Sequence, residues 1–152
     1  MFFKRRPELK ILLAYCRLMR HVVQELADVE DIEIVPAYTF DQARRIVAKG
    51  VDGVIANIQM PLAKDLNPNS YGVHPSVPWG ITLALAAQNK DTPIVLISDS
   101  WKTHERVKFL DVLFKQIDKP APKVFSLYGG GNQRDQREVY MTLRKQMKTA
   151  VL

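Results

Sequence analysis

Four short apolar runs, each closed by proline, glycine or a polar residue, constrain this chain more than any other feature. They are Lys10–Tyr15, Ile32–Pro36, the Val54–Ala56 core of the stretch Val51–Pro61, and Pro93–Ser98. Each is too short for a helix, and β-branched or aliphatic residues fill them, so buried strands fit. The third run is the most informative. Its strand ends at Asn57, and Pro61 cannot continue a central strand because it has no N–H for the ladder. Asn57 is thereby predicted at the carboxyl end of a strand, the edge where ligands and chemistry gather in open α/β sheets.

Helical segments alternate with these strands. Arg17 to Ala27 reads as a helix, with Leu18, Val22 and Leu26 on one stripe that Val29 extends. Thr39-Phe40-Asp41-Gln42 is a capping box, followed by a face of Ala43, Ile46 and Val47 and a stop at Gly50. Pro61 to Trp79 holds four prolines among Asn, Ser and Gly, which is long loop chemistry. Gly80 to Gln88 reads as a short apolar helix, and Thr103 to about Asp111 as another. Two positions are open for a fifth strand, either Leu113–Asp118 or Lys123–Tyr128. Arg134 to about Thr149 is a last helix striped by Val139, Leu143 and Met147. The β-α alternation predicts an α/β fold: a doubly wound, five-stranded parallel sheet in the order 2-1-3-4-5, a single domain over 1–152.

Bulk properties narrow the class. No apolar run among the 152 residues approaches a membrane span, and Met1–Pro7 lacks the apolar segment of a secretory signal. One cysteine permits no intrachain disulfide, which favours a reducing, cytoplasmic setting. The net charge of +6 could attract nucleic acid or an acidic partner, yet the basic residues are scattered, as on an ordinary solvated surface.

With these elements in place, the chain resembles the receiver domain of bacterial response regulators, the CheY-like family of flavodoxin-like folds. The resemblance rests on Lys10–Leu13, on Asp52–Pro61 with its Met60-Pro61 ending, on Pro93–Ser98, and on Lys119-Pro120. It implies a two-component signalling protein whose pocket lies at the carboxyl edge of the sheet. There the family places two acidic residues for Mg²⁺, an Asp phosphoacceptor, a hydroxyl and a Lys. Here Tyr15 and Cys16 take the acidic places and Asn57 the phosphoacceptor's, while Ser98 and Lys119 match the hydroxyl and the amine. Gln116 falls where the family has its aromatic switch.

An acyl phosphate needs an ionised carboxylate as nucleophile, and Mg²⁺ is usually held by one or two carboxylates. Tyr15, Cys16 and Asn57 supply none, so neither a metal, nor another cofactor, nor catalysis is expected. A pseudo-receiver is expected instead, one that acts by protein–protein contact without phosphorylation. The resemblance places the partner surface at Trp101, Lys102, His104 and Lys108, for an unidentified protein or a second copy of the chain. With Lys119 as its only charge the pocket would be weakly positive, and a small anion or nucleotide is the alternative ligand. Otherwise Lys119 turns to water or bonds Asn57.

Other features are weaker. His21, His74 and His104 show no metal-ligand spacing. Cys16 reads as an inert buried thiol. Asp99, next to Ser98, points away from Asn57 by strand alternation. Gly129–Asn132 lacks the pattern of a nucleotide loop and reads as a turn. Tyr71, His74 and Trp79 belong to the long loop beside Asn57, a candidate lid or partner arm.

Overall fold

A computed structural model describes residues 9–63, 78–98, 103–127 and 131–151; for residues 103–107 and 148–151 it describes the backbone alone. Five parallel strands form one sheet: β1 (Lys10–Ala14), β2 (Glu33–Ala37), β3 (Gly53–Asn57), β4 (Ile94–Ser98) and β5 (Lys123–Ser126). Their order is β2-β1-β3-β4-β5, as the alternation of elements predicts. The helices are α1 (Arg20–Val29), preceded by a 3-10 turn at Arg17–Met19, then α2 (Phe40–Lys49), α3 (Trp79–Asn89), α4 (Thr103–Gln116) and α5 (Gln133–Val151). No helix among the described residues is long and apolar enough to cross a membrane.

Strand alternation divides the core in two. Leu12, Val54, Ala56, Ile94 and Leu96 face Phe40, Val47, Leu83, Leu110 and Phe114 of α2, α3 and α4. Ile11, Leu13, Ile55, Val95 and Ile97 face Met19, Val23, Val139, Leu143 and Met147 on the other side. Both faces of the inner strands are covered, which is why those strands read as continuous apolar runs. Pro36 sits in β2 opposite Leu13, at one border of the sheet, where a missing N–H is tolerated.

Helix ends follow from local chemistry. Thr39 Oγ1 accepts the N–H of Gln42 at 3.2 Å, and Gln42 Oε1 reaches back to the N–H of Tyr38 at 2.9 Å. This is the expected cap, shifted by one residue on its return bond. Helices α1, α3 and α4 end alike, each with an aspartate in the left-handed region: Asp31 (φ 56), Asp91 (φ 53) and Asp118 (φ 55). The N–H of the following residue closes on a carbonyl five positions back: Ile32 on Ala27, Thr92 on Ala87, Lys119 on Phe114. These are Schellman closures, with Asp where Gly is commoner.

Three expectations need correction or lie outside the described residues. The segment Leu113–Asp118 is not a strand, because α4 runs through it to Gln116 and β5 is Lys123–Ser126. The stripe of α1 is also out of phase. Leu18 is 68% exposed and Val29 86%, whereas Met19, Val22, Val23 and Ala27 are buried. The 3-10 turn advances 120° per residue instead of 100°, and so displaces the helical period read from Leu18 onward. Most of the long loop after Pro61, with Tyr71 and His74, and Asp99 lie outside the described residues.

A polar cluster ties α1 to α5. Glu30 accepts the Tyr140 hydroxyl at 2.6 Å and the Arg144 guanidinium through Nε and Nη2 at 3.2 and 3.0 Å. Burial, and then the bond to Glu30, hold the Tyr140 pKa well above its ordinary 10.0. Its ionisation is therefore favoured in the unfolded chain, which binds fewer protons than the folded one above that value. Stability should fall as pH rises past about 10, and Tyr140→Phe should flatten the fall, measured by urea denaturation across alkaline pH.

Candidate functional site

The carboxyl edge of the sheet gathers the ends of β1, β3, β4 and β5. After Ala14 the backbone turns into the left-handed region at Tyr15 (φ 55), where the Tyr15 N–H is held by the Ala37 carbonyl at 2.8 Å. A bulky residue rarely adopts this conformation. The bend leaves Tyr15 exposed and turns Cys16 inward, its thiol donating to the Ala14 carbonyl at 3.2 Å.

Asn57, only 9% exposed, closes β3, and its Oδ1 accepts the Gln59 N–H at 3.3 Å. It lies opposite Ile97 in the register, and Ser98 opposite Ser126. A cleft of about 210 Å³ is lined by Tyr15, Cys16, Arg17, Asn57, Ile97 and Leu127, among others. Three of the predicted pocket residues, Tyr15, Cys16 and Asn57, therefore share one cleft. Ser98 is buried one residue beyond Ile97, and its carbonyl takes the Leu127 N–H at 2.9 Å.

Lys119 is not there. It follows the left-handed Asp118 at the end of α4 and precedes β5, so it lies at the opposite, amino edge of the sheet. Its Nζ meets Asp91 at 3.3 Å, and it lines a different cleft with Pro93 and Pro120. The weakly positive pocket built on Lys119 is therefore withdrawn. Gln116 ends α4 and so does not lie beside the pocket; Phe125 of β5 lies opposite Ile97 in the register. Among the described residues Arg17, exposed as the scattered basic residues were expected to be, also borders this cleft.

The donor set does not fit Mg²⁺. The cleft presents an amide, a phenol, a thiol and a guanidinium, and the ion prefers carboxylate oxygens. Among the described residues no group of three or more His, Cys, Asp and Glu side chains comes together. Trp101 and Lys102, expected on a partner surface, lie outside the described residues. His104 falls within α4, and Lys108 is exposed on it. The same helix exposes Phe109 (55%) and Val112 (60%), with Ile117 just past its end. This apolar stripe went unnoticed in the sequence, although the spacing of Phe109 and Val112 was visible there.

No family model and no curated protein sequence matches the chain. Solved structures do. A response regulator receiver protein from Sinorhizobium medicae matches at TM-score 0.57 and 14% identity, over 95% of this chain and 98% of that one. The receiver domain of a Francisella response regulator matches at TM-score 0.59 and 16% identity, over 93% and 98%. The Thermotoga maritima response regulator TrrA, solved in complex with Mg²⁺ and BeF, matches at TM-score 0.55 and 19% identity, over 90% and 98%. The chain has the CheY-like receiver fold. Its strand order and its placing of Asn57 at the tip of β3 agree with that architecture.

Proposed function

We propose that this chain is a signalling domain of the receiver type that works without phosphorylation, through contact with another protein. The observation that carries the proposal is the neutral tip of β3. Asn57 stands where phosphotransfer needs a carboxylate, beside Tyr15 and Cys16 where a metal needs acids. The exposed stripe of Phe109 and Val112 on α4 supplies an apolar surface of the kind that anchors partners. Catalysis has no part in this proposal, and a second copy of the chain is one candidate partner.

Two measurements test it. Incubation with acetyl phosphate and Mg²⁺ should produce no phosphoryl mass gain on the intact protein; a gain on any residue would overturn the proposal. Proteins captured from the native cell should be lost when Phe109→Asp and Val112→Asp are combined, with affinity at least about tenfold weaker. Equal capture by the variant would remove α4 as the contact.

A further inference from the structure

We infer that the junction of β1 and α1 binds a phosphate monoester, with Arg17 and Arg20 holding the anion and the cleft beside Asn57 taking its apolar body. This goes beyond the proposed function and does not depend on it. The two guanidiniums are organised by a single side chain. Arg17 Cζ lies 5.6 Å from the centre of the Tyr38 ring, and Arg20 Nη1 donates to the Tyr38 hydroxyl at 3.1 Å. Tyr38 is itself fixed by its N–H bond to Gln42. Both arginines line a cleft of about 410 Å³ with Tyr38 and Pro36, and Arg17 also borders the apolar cleft of Tyr15, Leu18 and Leu127.

These cations stand where the local fold disfavours them. The start of a helix carries positive partial charge and favours acids. Yet no side chain caps the 3-10 turn or α1, and the first turn of each contains no acid. Among the described residues neither Arg17 nor Arg20 has a carboxylate within 4.0 Å, whereas Arg44, Arg45 and Arg144 are all ion-paired. Two guanidiniums without a carboxylate partner, gathered on one tyrosine, suit a dianion. The planar fork of arginine matches phosphate oxygens in pairs. Leu18, largely exposed beside them, gives the ester's apolar group a surface to cover.

The test is thermal shift and calorimetry on the full chain with inorganic phosphate, phenyl phosphate and benzoate. Phenyl phosphate should bind most tightly, inorganic phosphate more weakly and benzoate least. The double variant Arg17→Gln/Arg20→Gln should lose at least about tenfold in affinity for phenyl phosphate. Arg17→Glu/Arg20→Glu should abolish the response while raising the ligand-free Tm by about 1–4 °C, because acids suit that helix end. A merely structural role for the arginines would lower that Tm instead, and would overturn the inference. So would a wild-type chain that ignores both phosphates, or a Gln double variant that responds like wild type. A phosphotyrosine peptide, run in parallel, separates the sources of the ester: tighter binding than phenyl phosphate indicates a protein-borne group, equal or weaker binding a small molecule.

Discussion

Gly80→Ala should destabilise the chain by about 3 kcal/mol in urea denaturation, although an unobstructed helix gains up to about 1 kcal/mol from the same change. The reason is the approach of α3 to β3. A Cβ on Gly80 would meet the Asn57 carbonyl oxygen and lie 2.6 Å from Ile58 Cα. Both are backbone atoms, so no rotamer change relieves the contact. The Gly80 N–H also bonds the Ile58 carbonyl at 2.8 Å, which fixes the spacing. Relief requires α3 to lift at its first turn, and that would disturb the Trp79–Phe40 stack, whose centroids lie 5.1 Å apart. Loss of stability should come with a change in tryptophan fluorescence. A stability equal to or above wild type would show that α3 does not touch the strand this closely.

Glu30→Ala should cost about 2–3 kcal/mol. The carboxylate accepts from both Tyr140 and Arg144, and the Arg144 side chain is only 11% exposed. Removing it leaves a buried hydroxyl and a largely buried cation without that acceptor, so the desolvation penalty decides the sign. Replacing all three together, as Glu30→Ala, Tyr140→Phe and Arg144→Met, should recover part of the loss, because no orphaned polar group remains. The comparison by denaturant midpoint separates the bonds from the packing of α1 on α5. A triple variant as unstable as the sum of its parts would place the energy in packing alone.

Much of the scaffold was legible because the inner strands are buried on both faces, and such strands declare themselves as unbroken aliphatic runs. Asn57 at a strand tip followed from the short apolar run Val54–Ala56 before it and Pro61 after it. Lys119 was misplaced for a definite reason. Leu113, Phe114 and Ile117 suit a strand or a helix equally, and a two-residue Lys-Pro match carries too little information to choose. The left-handed Asp118 that ends α4 decides the matter, and nothing in the sequence distinguishes it from any other aspartate. The Tyr38–Arg17–Arg20 group and the Glu30–Tyr140–Arg144 cluster were missed because they join residues distant in sequence, 110 positions apart for Glu30 and Tyr140.

The two borders of the sheet bear on how such molecules can assemble. One border strand carries Pro36, which has no hydrogen to give to a newcomer, and the other is four residues long and opens on the exposed Lys123. Both features blunt the described border strands as templates for a further strand. Any self-association of this chain would then fall mainly to side chains on the helices.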